Sequence, residues 1–492
     1  MERGDALISH SEFRNTEFEW WREAMINFGL LGTYSLERSD TKKVLPSEAS
    51  VKIFMVKKFK VITLGCKVNQ FESESLAKHL QDSNWVPAGA DDSADICIIN
   101  TCTVTQKASM QSRQSIRQAV RANPCAKIIV TGCYADSDPD AIAKIGGVTT
   151  IADQKEKFDL PQIILTGDLT QQPARQPRIR QRPFEQLPAL GLGNRSRPFL
   201  KIQDGCDAFC TYCIVPHIRG ENRSMPMNNV MDSLDEIHRS GYRETVLTGI
   251  HLGRWGFDLE PATDLVSLIR EIRRRKSVER VRLSSIEPGE VTDELIRTVR
   301  EAQTGPGRIC PHFHIPLQSG DNEILERMHR PYDRSQFHNK IDKIHQSIPN
   351  AAIGTDVLIG FPGESERAFR NTCDLIAALP ITYLHVFPFS PRRGTPAYHY
   401  PNPVPPHVIK ERCKQLRDIG LQKKSVFYNK FNNKLLEVVI EGKPESKNVG
   451  KKGMSENYIP VVLSGPAQPP NQIKKVVVER VSEDLTVLGR PV

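Results

Sequence analysis

No stretch of the 492-residue sequence reaches the roughly 18 consecutive apolar residues that a membrane helix needs. The N-terminus also lacks a basic segment leading into an apolar core. The first absence argues against a membrane protein and the second against export, so a cytoplasmic chain is expected. A disulfide framework is missing as well. Eleven cysteines is an odd number in a long, unexported chain, which favours thiolate ligands in a reducing compartment. At 39% hydrophobic and 25% charged residues the composition is that of a soluble globular protein, and the length divides into about three domains.

What is present is concentrated in the run G-C-D-A-F-C-T-Y-C-I-V-P, which carries Cys206, Cys210 and Cys213. Three thiolates this close can hold an iron–sulfur cluster while leaving one iron without a protein ligand, whereas a cluster that only carries electrons normally has four cysteines. No further cysteine follows until Cys310. The competing reading is a structural zinc site with His217 as fourth ligand. Structural zinc sites usually pair two short ligand clusters, and His217 stands alone.

The formal net charge of +9 suits a polyanionic partner, although a surplus of this size also serves solubility. Arg113, Arg117 and Arg121 recur every four residues, as on one helix face. Arg175, Arg178, Arg180, Arg182, Arg195 and Arg197 crowd a Pro- and Gln-rich stretch, and Arg273, Arg274, Arg275 and Lys276 end a helix-like segment where cations suit the helix dipole. Each cluster alone reads as a solvated face. Together they favour RNA over an acidic protein.

Residues 1–54 fit nothing that follows and are expected to be an extension, poorly ordered or untranslated, with Met55 as a candidate true start. From 55 to 165 strand and helix patterns alternate, as in an open α/β sheet. Three apolar runs there end alike: V-I-T-L-G-C at Cys66, I-C-I-I-N-T-C at Cys102 and I-I-V-T-G-C at Cys133. Ligands of open parallel sheets bind beyond the strand carboxyl ends, so these three cysteines should converge into a second three-thiolate site. The bland alternative is buried strand-end thiols. Cys97 and Cys125 read as ordinary small buried residues.

Residues 166–196 read as a surface linker. From 197 to 426 six strand-like runs alternate with helices: Phe199 to Gln203, Thr245 to Gly249, Val281 to Ile286, His312 to Leu317, Gly354 to Ile359 and Tyr383 to Phe389. A parallel sheet curled as an open, partial (β/α)6 barrel is expected, with its site in the loops after the strands. Residues 427–492 carry short β-rich runs suited to a small RNA-binding barrel.

The runs T-L-G-C-K-V-N-Q-F-E-S, I-I-N-T-C-T-V-T and V-T-G-C-Y-A, followed by the Cys206 run, resemble the radical S-adenosylmethionine (SAM) methylthiotransferases, which attach a methylthio group to a nucleotide base or protein side chain. The resemblance covers residues 56 to 492. It implies two 4Fe-4S clusters, an auxiliary one on Cys66, Cys102 and Cys133 and a SAM-cleaving one on Cys206, Cys210 and Cys213. It also implies SAM cradled by strand-end loops carrying Gly249, Glu287, Gln318 and Glu364, and a closing TRAM domain. A carbon radical made from SAM can attack an aromatic C–H that acid–base groups cannot readily functionalise. L-T-G-I-H-L-G, R-L-S-S-I-E-P-G-E and G-M-S-E-N-Y resemble the branch acting on N6-threonylcarbamoyladenosine at position 37 of tRNA. Enzymes for isopentenyl-adenosine or for an aspartate of a small-subunit ribosomal protein are the alternatives, as is a non-catalytic iron–sulfur or zinc RNA-binding protein. The expected partners are tRNA and a cytosolic electron donor, for a monomer.

Overall fold

The N-terminal sheet is parallel because helices return the chain between its strands. In the computed structural model, which describes residues 57–89, 92–167, 183–188, 195–442 and 451–492, its strands are β1 (Lys58–Thr63), β2 (Val86–Pro87), β3 (Ile96–Thr101), β4 (Lys127–Gly132) and β5 (Thr150–Ile151), in the order β2-β1-β3-β4-β5. The central strand β3 is buried throughout. Ile96 and Ile98 join Phe59, Leu76 and Leu80 on one face, while Cys97 and Ile99 join Ile116, Ala119 and Val130 on the other. That alternation places the helix Lys67–Asp82 against one face and the helix Gln106–Ala122 against the other. Cys97 is buried as expected, but Cys125 is exposed. It sits in the turn Pro124–Ala126 between helix and strand, outside either apolar face.

The central region contains β6 (Phe199–Lys201), a short hairpin β7 (Gln203–Asp204) with β8 (Arg223–Ser224), then β9 (Glu244–Thr248), β10 (Arg280–Leu283), β11 (Arg308–Ile309), β12 (His312–His314), β13 (Ala352–Ile359) and β14 (Tyr383–Pro388). Two parallel sheets, β11-β10-β9-β6 and β12-β13-β14, are joined by a bridge between Ser285 and His314. The six expected strands therefore curl as an open barrel. Leu200, Leu247, Leu283, Phe313, Ile353, Val357 and Val386 pack among the surrounding helices, which turns alternate residues such as His314, Asp356 and His385 to the opposite, inner face.

The last strands, β15 (Leu435–Glu441), β16 (Lys452–Ser455), β17 (Pro460–Leu463), β18 (Ile473–Val481) and β19 (Val487–Pro491), form a closed barrel around Val438, Ile440, Val461, Val476 and Val478. The helix Pro406–Asn429 leads into it. It docks through buried charge. Glu244 accepts from Arg280 Nε at 2.7 Å and Arg282 Nε at 2.8 Å. The same guanidinium groups donate to the carbonyls of Glu437 (2.9 Å) and Ser455 (2.9 Å). Burial alone would raise the Glu244 pKa, but the two arginines outweigh it and hold it at about 2. Glu244→Gln should cost about 3–5 kcal/mol, because two buried cations lose their counter-charge. The stabilisation is present above the ordinary carboxylate pKa and is lost as pH falls toward the folded value of about 2. Denaturant midpoints of both proteins across that range check this.

Residues 1–54, Met55 as a start, and Arg175, Arg178, Arg180 and Arg182 lie outside the described residues. The described part of the expected linker is pinned rather than free on the surface. Leu187 is buried in the central core, and the Pro188 carbonyl accepts from Ser75 Oγ at 2.9 Å. Among the described residues no helix is long and apolar enough to cross a membrane.

Candidate functional site: two cysteine triads joined by buried charge

Adjacent strands bring the first three cysteines together. Cys66 is the N-cap of the helix Lys67–Asp82, Cys102 follows β3, and Cys133 opens the helix Cys133–Ser137 after β4. Thr63 lies opposite Asn100 and Thr101 opposite Gly132, so the three strands end almost level. The glycines before Cys66 and Cys133 make the approach possible. Gly65 and Gly132 hold φ of 96° and 93°, left-handed values that disfavour a side chain. A Cβ at Gly65 would lie 2.7 Å from Cys102 Sγ, and one at Gly132 would lie 2.5 Å from the Thr101 backbone. Asn69 ties the ends by donating to the carbonyls of Leu64 and Thr101, each at 2.9 Å. Burial pushes the Cys133 thiol up to about 11, and the neighbouring Cys66 and Cys102 add to the rise. Cys133 therefore keeps its proton at neutral pH unless a metal displaces it.

The second triad occupies the loop after β7. Cys206 N donates to Gly220 O and Cys213 N to Cys210 O, both at 2.9 Å, and Thr211 anchors the loop to the Met328 and Arg327 carbonyls. Burial pushes Cys213 up to about 12. An arginine and a histidine contact the sulfurs. Arg330 Nη1 donates to Cys210 Sγ at 3.2 Å, and His251 Nδ1 lies 3.4 Å from Cys206 Sγ with its Nε2 2.6 Å from Glu290 Oε1. Burial would lower the His251 pKa, but Cys206 and Glu290 raise it to about 10.

Ligands on one zinc at about 2.3 Å place sulfurs about 3.8 Å apart. Among the described residues, the one group of three candidate ligand atoms all within 4.8 Å of one another is His314, Asp356 and His385. His217, the candidate fourth zinc ligand, packs its ring edge-on to Phe209. A set of three thiolates is the donor chemistry of an iron–sulfur cluster, whose cysteines bind different irons.

Of the four residues expected to contact SAM, Glu287 and Gly249 each touch a residue beside the second triad, and Gln318 is linked to it only through Leu317, Tyr332 and Arg330. Glu287 pairs with Arg330, the donor to Cys210. A Cβ at Gly249 would lie 2.6 Å from Gln203 Oε1, and the Gln203 amide donates to Gly205 O at 2.8 Å, beside Cys206. Gln318 has φ of 65° and follows Leu317, whose carbonyl accepts from Tyr332 OH, itself bonded to Arg330. Glu364 is used differently. Its carboxylate accepts from Gly360 N at 2.8 Å and Arg412 Nη1 at 3.0 Å, and its side chain is only 1% exposed.

A buried polar chain between the triads was not foreseen. Gln154 Nε2 lies 3.4 Å from Cys133 Sγ, and its Oε1 accepts from Lys157 at 2.7 Å. Lys157, Lys201 and Arg219 all donate to Glu72, at 2.7, 3.0 and 2.9 Å. Arg219 also donates to Asp204 at 2.9 Å, and Asp204 accepts from Gly205 N, next to Cys206. Sequence offered one faint signal, the charged Lys201 and Asp204 interrupting the strand pattern K-I-Q-D-G-C.

The open barrel and its three-cysteine loop define a radical SAM enzyme. The radical SAM superfamily model matches residues 200–376, and the model described as uncharacterized protein family UPF0004 matches residues 58–152. The threonylcarbamoyladenosine tRNA methylthiotransferase MtaB of Bacillus subtilis is 36% identical over 84% of this chain and 92% of its own, and that of Aquifex aeolicus is 33% identical over 82% and 96%. The tRNA-2-methylthio-N(6)-dimethylallyladenosine synthase of Clostridium tetani is 32% identical over 79% and 86%. The chain therefore belongs to the tRNA methylthiotransferase family. In fold alone it is similar to the radical SAM methyltransferase TsrM of Kitasatospora setae, with a TM-score of 0.50 at 15% identity over 70% of this chain and 75% of that one.

Proposed function

We propose that this protein adds a methylthio group to C2 of N6-threonylcarbamoyladenosine at position 37 of tRNA, with Cys206, Cys210 and Cys213 holding the SAM-binding 4Fe-4S cluster and Cys66, Cys102 and Cys133 a second one. The convergence of Cys66, Cys102 and Cys133 at three level strand ends, together with the three-cysteine loop after β7, supports the two-cluster reading. The relatives named for threonylcarbamoyladenosine support the base. The cofactors supply reductive cleavage of SAM and the sulfur to be transferred.

The chain's own groups bind and orient. Arg330 and His251 hold positive charge against Cys210 and Cys206. Gly249, Glu287 and Gln318 line the SAM side, and Glu364 serves it indirectly by bracing the Gly360–Gly363 loop against Arg412. The chain through Glu72 fixes one triad relative to the other, so that a base between them meets both. The protein acts in the cytoplasm as a monomer with a cytosolic electron donor. Lys and Arg on its surface contact tRNA phosphates, so binding is expected to weaken with added salt in a filter-binding titration.

The test is anaerobic incubation of the reconstituted protein and SAM with tRNA bearing threonylcarbamoyl- or dimethylallyl-adenosine, and with the small-subunit ribosomal protein, followed by mass spectrometry for methylthio product. Product on either of the last two with none on the first overturns the substrate assignment.

A further inference from the structure

One face of β14 is unlike the rest of the barrel. Tyr383, His385 and Phe387 alternate along it, and at the carboxyl-terminal end His385 is 51% and Phe387 42% exposed. Their rings lie 6.3 Å apart, edge to face. The segment that follows touches both halves of the site. Ser390 Oγ accepts from Gln106 N at 2.9 Å, Arg392 donates to Ser109, and Ala397 N donates to Thr211 O inside the second cysteine loop. The exposed rings thus stand at the end of the strand that leads into this segment, which bridges the two cysteine-bearing halves.

Hydrogen bonding fixes which atom His385 offers. His312 is buried and held neutral by that burial, and its Nδ1 has no partner. The proton is therefore on His312 Nε2, which donates to Tyr383 OH at 2.8 Å. The Tyr383 hydroxyl then donates to His314 Nδ1 at 3.0 Å. This leaves His314 Nε2–H for Asp356 Oδ1 at 2.9 Å, and the same oxygen accepts His385 Nδ1–H at 3.0 Å. In this arrangement Asp356 Oδ1 takes both imidazoles, and His314, Asp356 and His385 also lie close enough together to hold one ion. What remains is His385 Nε2, which has no partner among the described residues.

We propose that His385 is the specificity-determining residue for the N6 substituent, its Nε2 accepting a hydrogen bond from the threonylcarbamoyl arm while Phe387 stacks on the adenine. This rests on the substrate reading above. The arm carries carbamoyl N–H and hydroxyl donors, whereas a dimethylallyl arm has none to offer and would strip His385 and Asp356 of water without return. Phe387 supplies a π-face that any base can use.

The test measures binding and kcat/KM of the full-length reconstituted protein with anticodon stem–loops bearing threonylcarbamoyl-adenosine, dimethylallyl-adenosine or unmodified adenosine. His385→Phe should weaken the first about tenfold and leave the other two within about twofold, the worth of one hydrogen bond. His385→Gln, which keeps an acceptor, should restore most of the difference. Phe387→Ala should weaken all three by about tenfold or more. A wild-type protein without preference for the threonylcarbamoyl RNA overturns both readings. A preference that survives His385→Phe, or a loss equal across the three RNAs, overturns the His385 assignment alone. So does stoichiometric Zn(II) binding by the cluster-loaded protein that disappears in His385→Phe.

Discussion

Alanine at Cys206, Cys210 and Cys213 together is expected to abolish SAM cleavage and to lower the iron content of the reconstituted protein from about eight to about four per chain. Alanine at Cys66, Cys102 and Cys133 should remove a similar amount of iron with a different consequence, leaving 5′-deoxyadenosine formation in place while eliminating methylthiolated tRNA. The asymmetry follows from position. Arg330, His251, Glu287 and Gly249 all surround the second triad, whereas the first lies across the buried chain of Gln154, Lys157 and Glu72. Iron analysis, SAM turnover and nucleoside mass spectrometry read the two sets. Full iron and intact product in the second variant would remove the auxiliary site.

A large effect on stability is also expected at Glu72. Its carboxylate is wholly buried and accepts from Lys157, Lys201 and Arg219. Removing it leaves Lys201 and Arg219 with Asp204 as their counter-charge and Lys157 with the neutral Gln154 amide. Breaking a buried pair costs about 3–5 kcal/mol, a large part of the 5–15 kcal/mol that typically holds a protein folded. Glu72→Gln should therefore lower the denaturation midpoint sharply and expose the Lys67–Asp82 helix to proteolysis. Burial alone would raise the Glu72 pKa, but Arg219, Lys157 and Lys201 outweigh it and hold the carboxyl well below its usual range. Its contribution is then present above the ordinary carboxylate pKa and lost as pH falls through the folded value. A midpoint unchanged by the substitution between pH 7 and pH 5 would mean that the three cations find other partners.

The order of strands and helices, the open barrel with its six runs, the small closing barrel and both cysteine triads were legible in the sequence. Each rests on a local signal: period-two apolar runs, glycine beside cysteine, close cysteine spacing. The glycines at 65 and 132 are the best example, since the tight turn they make and the thiol they precede are neighbours in the chain. Which carboxylate does what was not legible. Glu364 sits in G-F-P-G-E at a strand end, as a SAM ligand might, yet it is spent on Arg412. Glu72 lies unremarked in F-E-S-E-S and carries the contact between the two halves of the site. The same holds for His314, Asp356 and His385, which come from three strands and meet at one carboxylate oxygen. A residue's own neighbours determine whether it turns, extends or coils, so the chain alone could declare its elements and its clustered cysteines. A buried ion pair or a shared proton is decided by which elements stack and in what register, across 85 residues for Glu72 and Lys157 and 147 for Glu72 and Arg219, and no local pattern records that distance.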